Sequence, residues 1–266
     1  MIGKPDVMYK NLIYEVADGV ARITLNRPQV HNALSPELLR EITLAVTAAD
    51  ADALVRVVVL TGSGDKAFCS GADLKAGLGE DPSMGNALRS RYNPMIRALR
   101  NIPKPVVCRL NGLVAGAGCS LALACDVIIM PEEAYFAQLF VGIGLMPDAG
   151  STFFLPRLVG TARAFDLAST GRRVYGPEAV QIGMVQRAVP AAKLDATVSE
   201  TVAYYRHAPT RAIGAMKRAL NQSLNSDLET MLEVEAQEQD VLGQSRDTAE
   251  GIMAFLQKRK PDFQGL

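Results

Sequence analysis

The chain has 266 residues, 48% apolar, 21% charged and 6% aromatic, without Trp; the length suits one large domain or a domain with an appendage, and the composition excludes collagen-like, disordered and disulfide-scaffold proteins. Its 28 Lys and Arg balance its 28 Asp and Glu, which argues against nucleic-acid or polybasic membrane binding, since both depend on an excess of cations. Four cysteines without a C-x-x-C pair and only two histidines are a poor fit to a zinc site or a disulfide framework, so no metal is expected.

Residues 1–10 include Lys4, Pro5, Asp6 and Lys10 without an apolar run, unlike a secretory signal, and a cytoplasmic location is expected. Leu12, Tyr14 and Val16 alternate as a strand, Asp18-Gly19 signals a hairpin, and Val20 to Leu25 returns as a second strand. Ser35-Pro36-Glu37 supplies an N-cap, a first-turn proline and an early acid for a helix running toward Asp50. A strand, glycine loop and helix then occur twice, from Arg56-Val-Val-Val-Leu-Thr61 into Gly71-Ala72-Asp73 and from Pro105-Val-Val-Cys-Arg-Leu110 into Gly112, Gly116 and Gly118. This alternation predicts an α/β fold with largely parallel strands. Gly112 to Met130 is long enough to cross a bilayer, but its glycines, Ser120 and Asp126 argue against a span. Beyond Ala191 helices alone are predicted, over Ala191 to His207, Thr210 to Asn221 and Asp227 to Lys258 with a break near Gly243. Residues 1–190 are therefore taken as an α/β core and 191–266 as a helical region that packs on a neighbour.

The glycine loops do not read as nucleotide loops. Gly116-Ala-Gly118-Cys-Ser-Leu121 lacks the third glycine of a dinucleotide fingerprint, and there is neither a P-loop nor a G-x-S-x-G elbow. Loops of this kind can instead aim backbone N–H groups at a developing oxyanion. The competing explanation is that Gly and Ala merely permit close packing of strand against helix.

Ile23-Thr-Leu-Asn-Arg-Pro28 with Asn32-Ala-Leu34, Ala67-Phe-Cys-Ser-Gly-Ala-Asp-Leu74, Asn111-Gly112 with Ala115-Gly-Ala-Gly-Cys-Ser-Leu-Ala122, and Cys125-Asp126 together resemble the enoyl-CoA hydratase/isomerase (crotonase) family. The likeness extends to Ala254-Phe-Leu-Gln-Lys-Arg-Lys-Pro261. It implies a spiral of ββα turns with a helical C-terminal region, assembled as a homotrimer or dimer of trimers and acting on acyl-CoA thioesters, with coenzyme A as part of the substrate and no separate cofactor. It also implies that the thioester oxygen lies between the amides of Ala72 and Ala117. Family hydratases add water with two glutamates, and those positions are Ser120 and Phe140 here, neither of which can exchange protons as a carboxylate does.

One carboxylate remains nearby, Asp148 in Gly144-Leu-Met-Pro-Asp-Ala-Gly-Ser-Thr152. A helix N-cap is its structural reading. With Tyr92-Asn-Pro94, Leu155-Pro-Arg157 and Gly160-Thr-Ala-Arg163, however, this segment is most similar to the epoxyphenylacetyl-CoA isomerase branch of phenylacetate breakdown, where the resemblance makes the carboxylate the acid/base. Phe136, Leu139, Phe140 and Met146 are expected to line an apolar pocket that raises its pKa, although they could equally be core, and Phe136 especially so. For coenzyme A the resemblance points to Gln29, Val30, Ser70, Gly71, Asp73, Leu74 and Gly116, and to Phe255 and Lys258 of a neighbouring subunit. Gln29 stands where relatives often carry Lys, which shifts phosphate binding toward Lys258 and toward Arg27 if that side chain faces the pocket. An isomerase is the leading expectation, with a hydratase using Asp148 to orient water and a non-catalytic acyl-CoA binder as alternatives. The acyl group is not legible, because pocket width depends on the Lys75 to Tyr92 segment, which reads as a mobile loop.

Overall fold

Leu12–Ala17 (β1) and Val20–Leu25 (β2) pair antiparallel across Asp18-Gly19, whose φ angles of 50° and 77° are the left-handed pair that a two-residue hairpin needs. The computed structural model describes residues 9–77 and 83–266. Ser35 accepts the Leu38 amide at 3.3 Å and Pro36 opens the helix Pro36–Ala51. Its other end is closed by a buried lysine, Lys104, whose ammonium donates to the carbonyls of Ala49, Asp50 and Asp52 at 2.6, 2.9 and 2.7 Å. Those carbonyls have no partner within the helix. Ser35→Ala frees a first-turn amide, and urea unfolding should record a loss of about 1 kcal/mol.

Three strand pairs follow: Val57–Gly62 (β3) with Ala67–Cys69 (β4), Val106–Arg109 (β5) with Leu113–Ala115 (β6), and Val127–Pro131 (β7) with Tyr135–Ala137 (β8). With Arg173–Tyr175 (β9) and Arg187–Val189 (β10), they form a six-stranded sheet of order β1-β2-β3-β5-β7-β10 and a four-stranded sheet of order β4-β6-β8-β9. All pairings are parallel except β1 with β2 and β8 with β9. Each turn of the chain thus places one strand in each sheet. Helices Asn93–Asn101 and Ala117–Leu123 follow the first two pairs, so the path is a spiral of ββα units.

All six residues of β3 are buried, as befits a parallel strand covered on both faces. Val58 and Leu60 face the main core, whereas Val57 joins Val107, Ile129, Leu194 and Val198 in a second cluster. Helix Leu194–His207 therefore covers the outer face of the large sheet. The next helix, Thr210–Ser223, is tied to the core by Lys217, whose buried ammonium meets the Asp126 carboxylate at 2.6 Å and the Leu99 carbonyl at 2.9 Å. Helices Leu228–Gly243 and Arg246–Leu256 complete the chain. Leu228–Gly243 buries none of its side chains, and Leu228, Leu232 and Val241 are exposed.

The expected loop from Lys75 to Tyr92 is shorter than the sequence suggests. Residues 78–82 lie outside the described residues, but Met84–Ala87 is helical and Leu88–Tyr92 continues it as a π-helical turn into Asn93–Asn101. Of the N-terminal segment, residues 1–8 are likewise outside. All four cysteines are buried free thiols. No helix among the described residues is long and apolar enough to cross a membrane, and Gly112 to Met130 folds into β6, a helix and part of β7.

Candidate active site

Two asparagines hold the first glycine loop. Asn32, fully buried, accepts the Arg27 amide at 2.9 Å and donates to the carbonyls of Ser63 and Ala67; Asn111 donates to Gly64 and Ala67 and accepts the Gly62 amide at 3.0 Å. Leu34 then bridges this loop, donating to the Gly71 carbonyl and accepting from the Asp73 amide, so Ala72 lies between two fixed points. Asp73 accepts the Arg27 guanidinium at 2.8 Å, which holds its carboxyl below the usual carboxylate range. Arg27 also donates to the Ala33 carbonyl. Its guanidinium is thus held between Asp73 and the Ala33 carbonyl.

The two glycine loops meet backbone to backbone. Gly71 has a φ of 96°, and a Cβ there would lie 2.9 Å from the Ala115 carbonyl oxygen and 3.3 Å from the Ala117 nitrogen. Ala72 and Ala117 thus stand on adjoining loops. Ala117 is the first residue of its helix after Gly116, whose φ is 51°, and an amide at that position has no partner within the helix. Gly118 answers to the packing explanation instead, since a Cβ there would come 2.5 Å from the Cys69 carbonyl.

Asp148 belongs to a different segment brought to the same helix. Ser120, fully buried, donates its hydroxyl to the Asp148 carbonyl at 2.8 Å. The helix after it runs over Ser151–Val159, with Gly150 at the cap position and no side-chain cap, so the N-cap reading of Asp148 does not hold. Its Oδ1 is buried without a hydrogen-bond partner, and burial pushes the carboxyl from 3.8 up to about 6. Tyr92 is within electrostatic reach; burial first and then the Asp148 charge push its phenol up to about 12. Tyr92 and Ala72 share the wall of a cleft of about 230 Å³ with Leu34, Leu39 and Leu74.

The pocket lining expected from sequence is corrected in part. Phe136 is core at 1% exposure and Phe140 is buried, but Leu139 and Met146 are 51% and 69% exposed on this single chain, so they do not enclose Asp148 within it. Ser70 donates to the Val30 carbonyl at 3.3 Å, which places the Gln29-Val30 turn beside the first glycine loop. Gln29 and Leu74 are exposed. Phe255, 83% exposed, lies in the last turn of the final helix and Lys258 just beyond it, and among the described residues no hydrogen bond or ion pair joins them to that loop. Neither the Ser120 hydrogen bond nor the nearness of Tyr92 to Asp148 has a signal in the sequence, where Ser120 stands at a position of a family acid and Tyr92 belongs to a short motif.

A spiral of ββα turns whose successive glycine loops adjoin is the crotonase fold. The chain belongs to the enoyl-CoA hydratase/isomerase family, whose model matches residues 15–266. A Rhodobacter capsulatus protein named as a probable enoyl-CoA hydratase is 43% identical over 257 residues, covering 97% of this chain and 99% of that one. The 1,2-epoxyphenylacetyl-CoA isomerase of Escherichia coli is 36% identical over 262 residues, covering 97% and 100%. Among solved structures, that of enoyl-CoA hydratase from Bacillus anthracis is similar with a TM-score of 0.91 and 35% identity, covering 97% of this chain and 100% of that one.

Proposed function

We propose that the chain is an acyl-CoA thioester isomerase in which Asp148 alone carries the proton. The observation that carries this reading is a half-buried carboxyl whose Oδ1 is buried without a partner, raised to about 6, in a chain with Ser120 and Phe140 where family hydratases have glutamates. Ionised Asp148 takes a proton from a carbon near the thioester, and the released electron pair moves to the thioester oxygen. The amides of Ala72 and Ala117 hold the resulting enolate. Protonated Asp148 then returns the proton at another carbon, so the double bond or ring system shifts with no atom gained or lost. A pKa near the working pH suits a group that must serve as base and then acid.

In this reading coenzyme A lies along Gln29, Val30, Ser70, Gly71, Asp73, Leu74 and Gly116, with Phe140 beside the acyl chain. Phe255 and Lys258 come from an adjoining copy in a homotrimer or dimer of trimers in the cytoplasm. The identity to the epoxyphenylacetyl-CoA isomerase supports an aromatic-acid context such as phenylacetate breakdown. The name of the R. capsulatus relative favours hydration instead, with Asp148 orienting water. One measurement separates the two: aromatic and aliphatic CoA thioesters are incubated with the protein in deuterated water and the products weighed by mass spectrometry. Deuterium uptake without added water is expected. A product heavier by one water would establish hydration, and no turnover of any thioester would leave acyl-CoA binding alone.

A further inference from the structure

The turn that carries Asp148 is strained and anchored at one atom. Ala149, 4% exposed, takes a φ of 48° and Gly150 a φ of 87°. A left-handed conformation is unfavourable for alanine and persists only where surrounding contacts impose it. Two hydrogen bonds converge on the Asp148 carbonyl, from the Ser151 amide at 2.9 Å and from the Ser120 hydroxyl at 2.8 Å. The first is local to the turn. The second ties the turn to helix Ala117–Leu123, the helix that also presents the Ala117 amide.

The side chain of the same residue is treated in the opposite way. Asp148 Oδ1 is buried and makes no hydrogen bond, like the nearby Ser151 hydroxyl, and a catalytic role is one reason for a protein to keep such a group. A clamped carbonyl and an unpartnered carboxyl oxygen on one residue suit an aimed group.

We propose that Ser120 is the positioning residue for Asp148: its hydroxyl, by donating to the Asp148 carbonyl, holds the strained Asp148-Ala149-Gly150 turn in register with the Ala117 amide and keeps the free carboxyl directed at the reacting carbons. This rests on the acid/base reading of Asp148. It gives the serine at a hydratase glutamate position a role of its own. The space and the hydrogen bond at residue 120 are committed to the backbone of residue 148, so an acid at 120 would compete with the anchor of the acid at 148.

The test is deuterium exchange into a CoA thioester substrate by the full-length protein, measured for Ser120→Ala, Ser120→Thr and Asp148→Asn with pH profiles and separate kcat and KM. Ser120→Ala removes one buried oxygen and adds no bulk. It should lower kcat by roughly 10- to 100-fold, the range that a small misplacement of a reacting group produces, with KM changed less than about two-fold. The acid limb of its pH profile should move to lower pH, because a relaxed turn lets water reach the carboxyl. Ser120→Thr, which keeps a hydroxyl, should recover most of the rate. An alanine variant with wild-type kcat and pH profile would overturn the proposal. So would one in which kcat, KM and melting temperature worsen together with the acid limb unmoved, since that is the mark of a general packing role. Full exchange by Asp148→Asn would instead overturn the acid/base reading, whatever Ser120→Ala does.

Discussion

Asp148→Asn should abolish proton exchange at the substrate carbons while leaving CoA-ester binding within a few fold of wild type. The loss expected in kcat is about 10²- to 10⁴-fold, the contribution of one positioned general acid/base. Asparagine keeps the shape and fits the buried site, but can neither take nor return the proton. The same variant should be more stable than wild type at neutral pH. Burial raises the Asp148 carboxyl from 3.8 to about 6, so the folded chain holds that proton more tightly than the unfolded chain does. Folded stability is therefore lost as pH rises from about 4 to about 6, and the penalty is complete above that. After allowance for solvent at the exposed edge of the group, the gain on substitution is about 1 kcal/mol. Thermal unfolding at pH 8 should show it, and below pH 4 the two proteins should unfold alike. A variant that is both inactive and stabilised distinguishes a group under functional strain from one whose loss disrupts packing. A variant inactive and destabilised at every pH would contradict this account.

Much of the fold is legible because its signals are local. Ser35 and Pro36 mark a helix start that the hydrogen bond to Leu38 confirms, and Asp18-Gly19 marks a hairpin because few other pairs accept two positive φ angles. The strands β4, β6 and β8 are three residues each, too short for periodicity to register. From residues alone they merge into the glycine loops, and only the family resemblance implied the second strand of each turn. The site divides in the same way. The family resemblance points to Ala72 and Ala117, and the fold brings their loops together. The pairing of Arg27 with Asp73, 46 residues away, leaves no mark in the sequence. Leu139 and Met146 have the right chemistry to line a pocket, but apolar character does not tell which way an exposed segment faces. Ser120 is the sharpest case. Its meaning depends on a hydrogen bond to a backbone atom 28 residues on, and a backbone acceptor leaves no mark in the identity of residue 148.

Gly71→Ala should damage the site directly. A Cβ at residue 71 meets the Ala115 carbonyl at 2.9 Å and the Ala117 nitrogen at 3.3 Å, and φ is 96°, outside the comfortable range of alanine. The obstacle is backbone rather than a flexible side chain, so relief comes only by parting the two loops. That moves the Ala72 and Ala117 amides relative to each other. Loss of one well-placed donor to an oxyanion costs about 10²- to 10³-fold in kcat, and the overpacking adds about 1–3 kcal/mol of destabilisation. Strain alone can be separated by Gly19→Ala in the β1–β2 hairpin, where φ is 77° but the new Cβ finds only ordinary contacts from 3.4 Å outward. That control should lose about 1–2 kcal/mol of stability with unchanged exchange kinetics. If Gly71→Ala lowers stability as Gly19→Ala does and leaves kcat intact, the adjoining loops hold the fold together but do not hold the enolate. If kcat falls while KM stays within a few fold, the loss lies in the transition state, where two amides set side by side by a glycine contact would act.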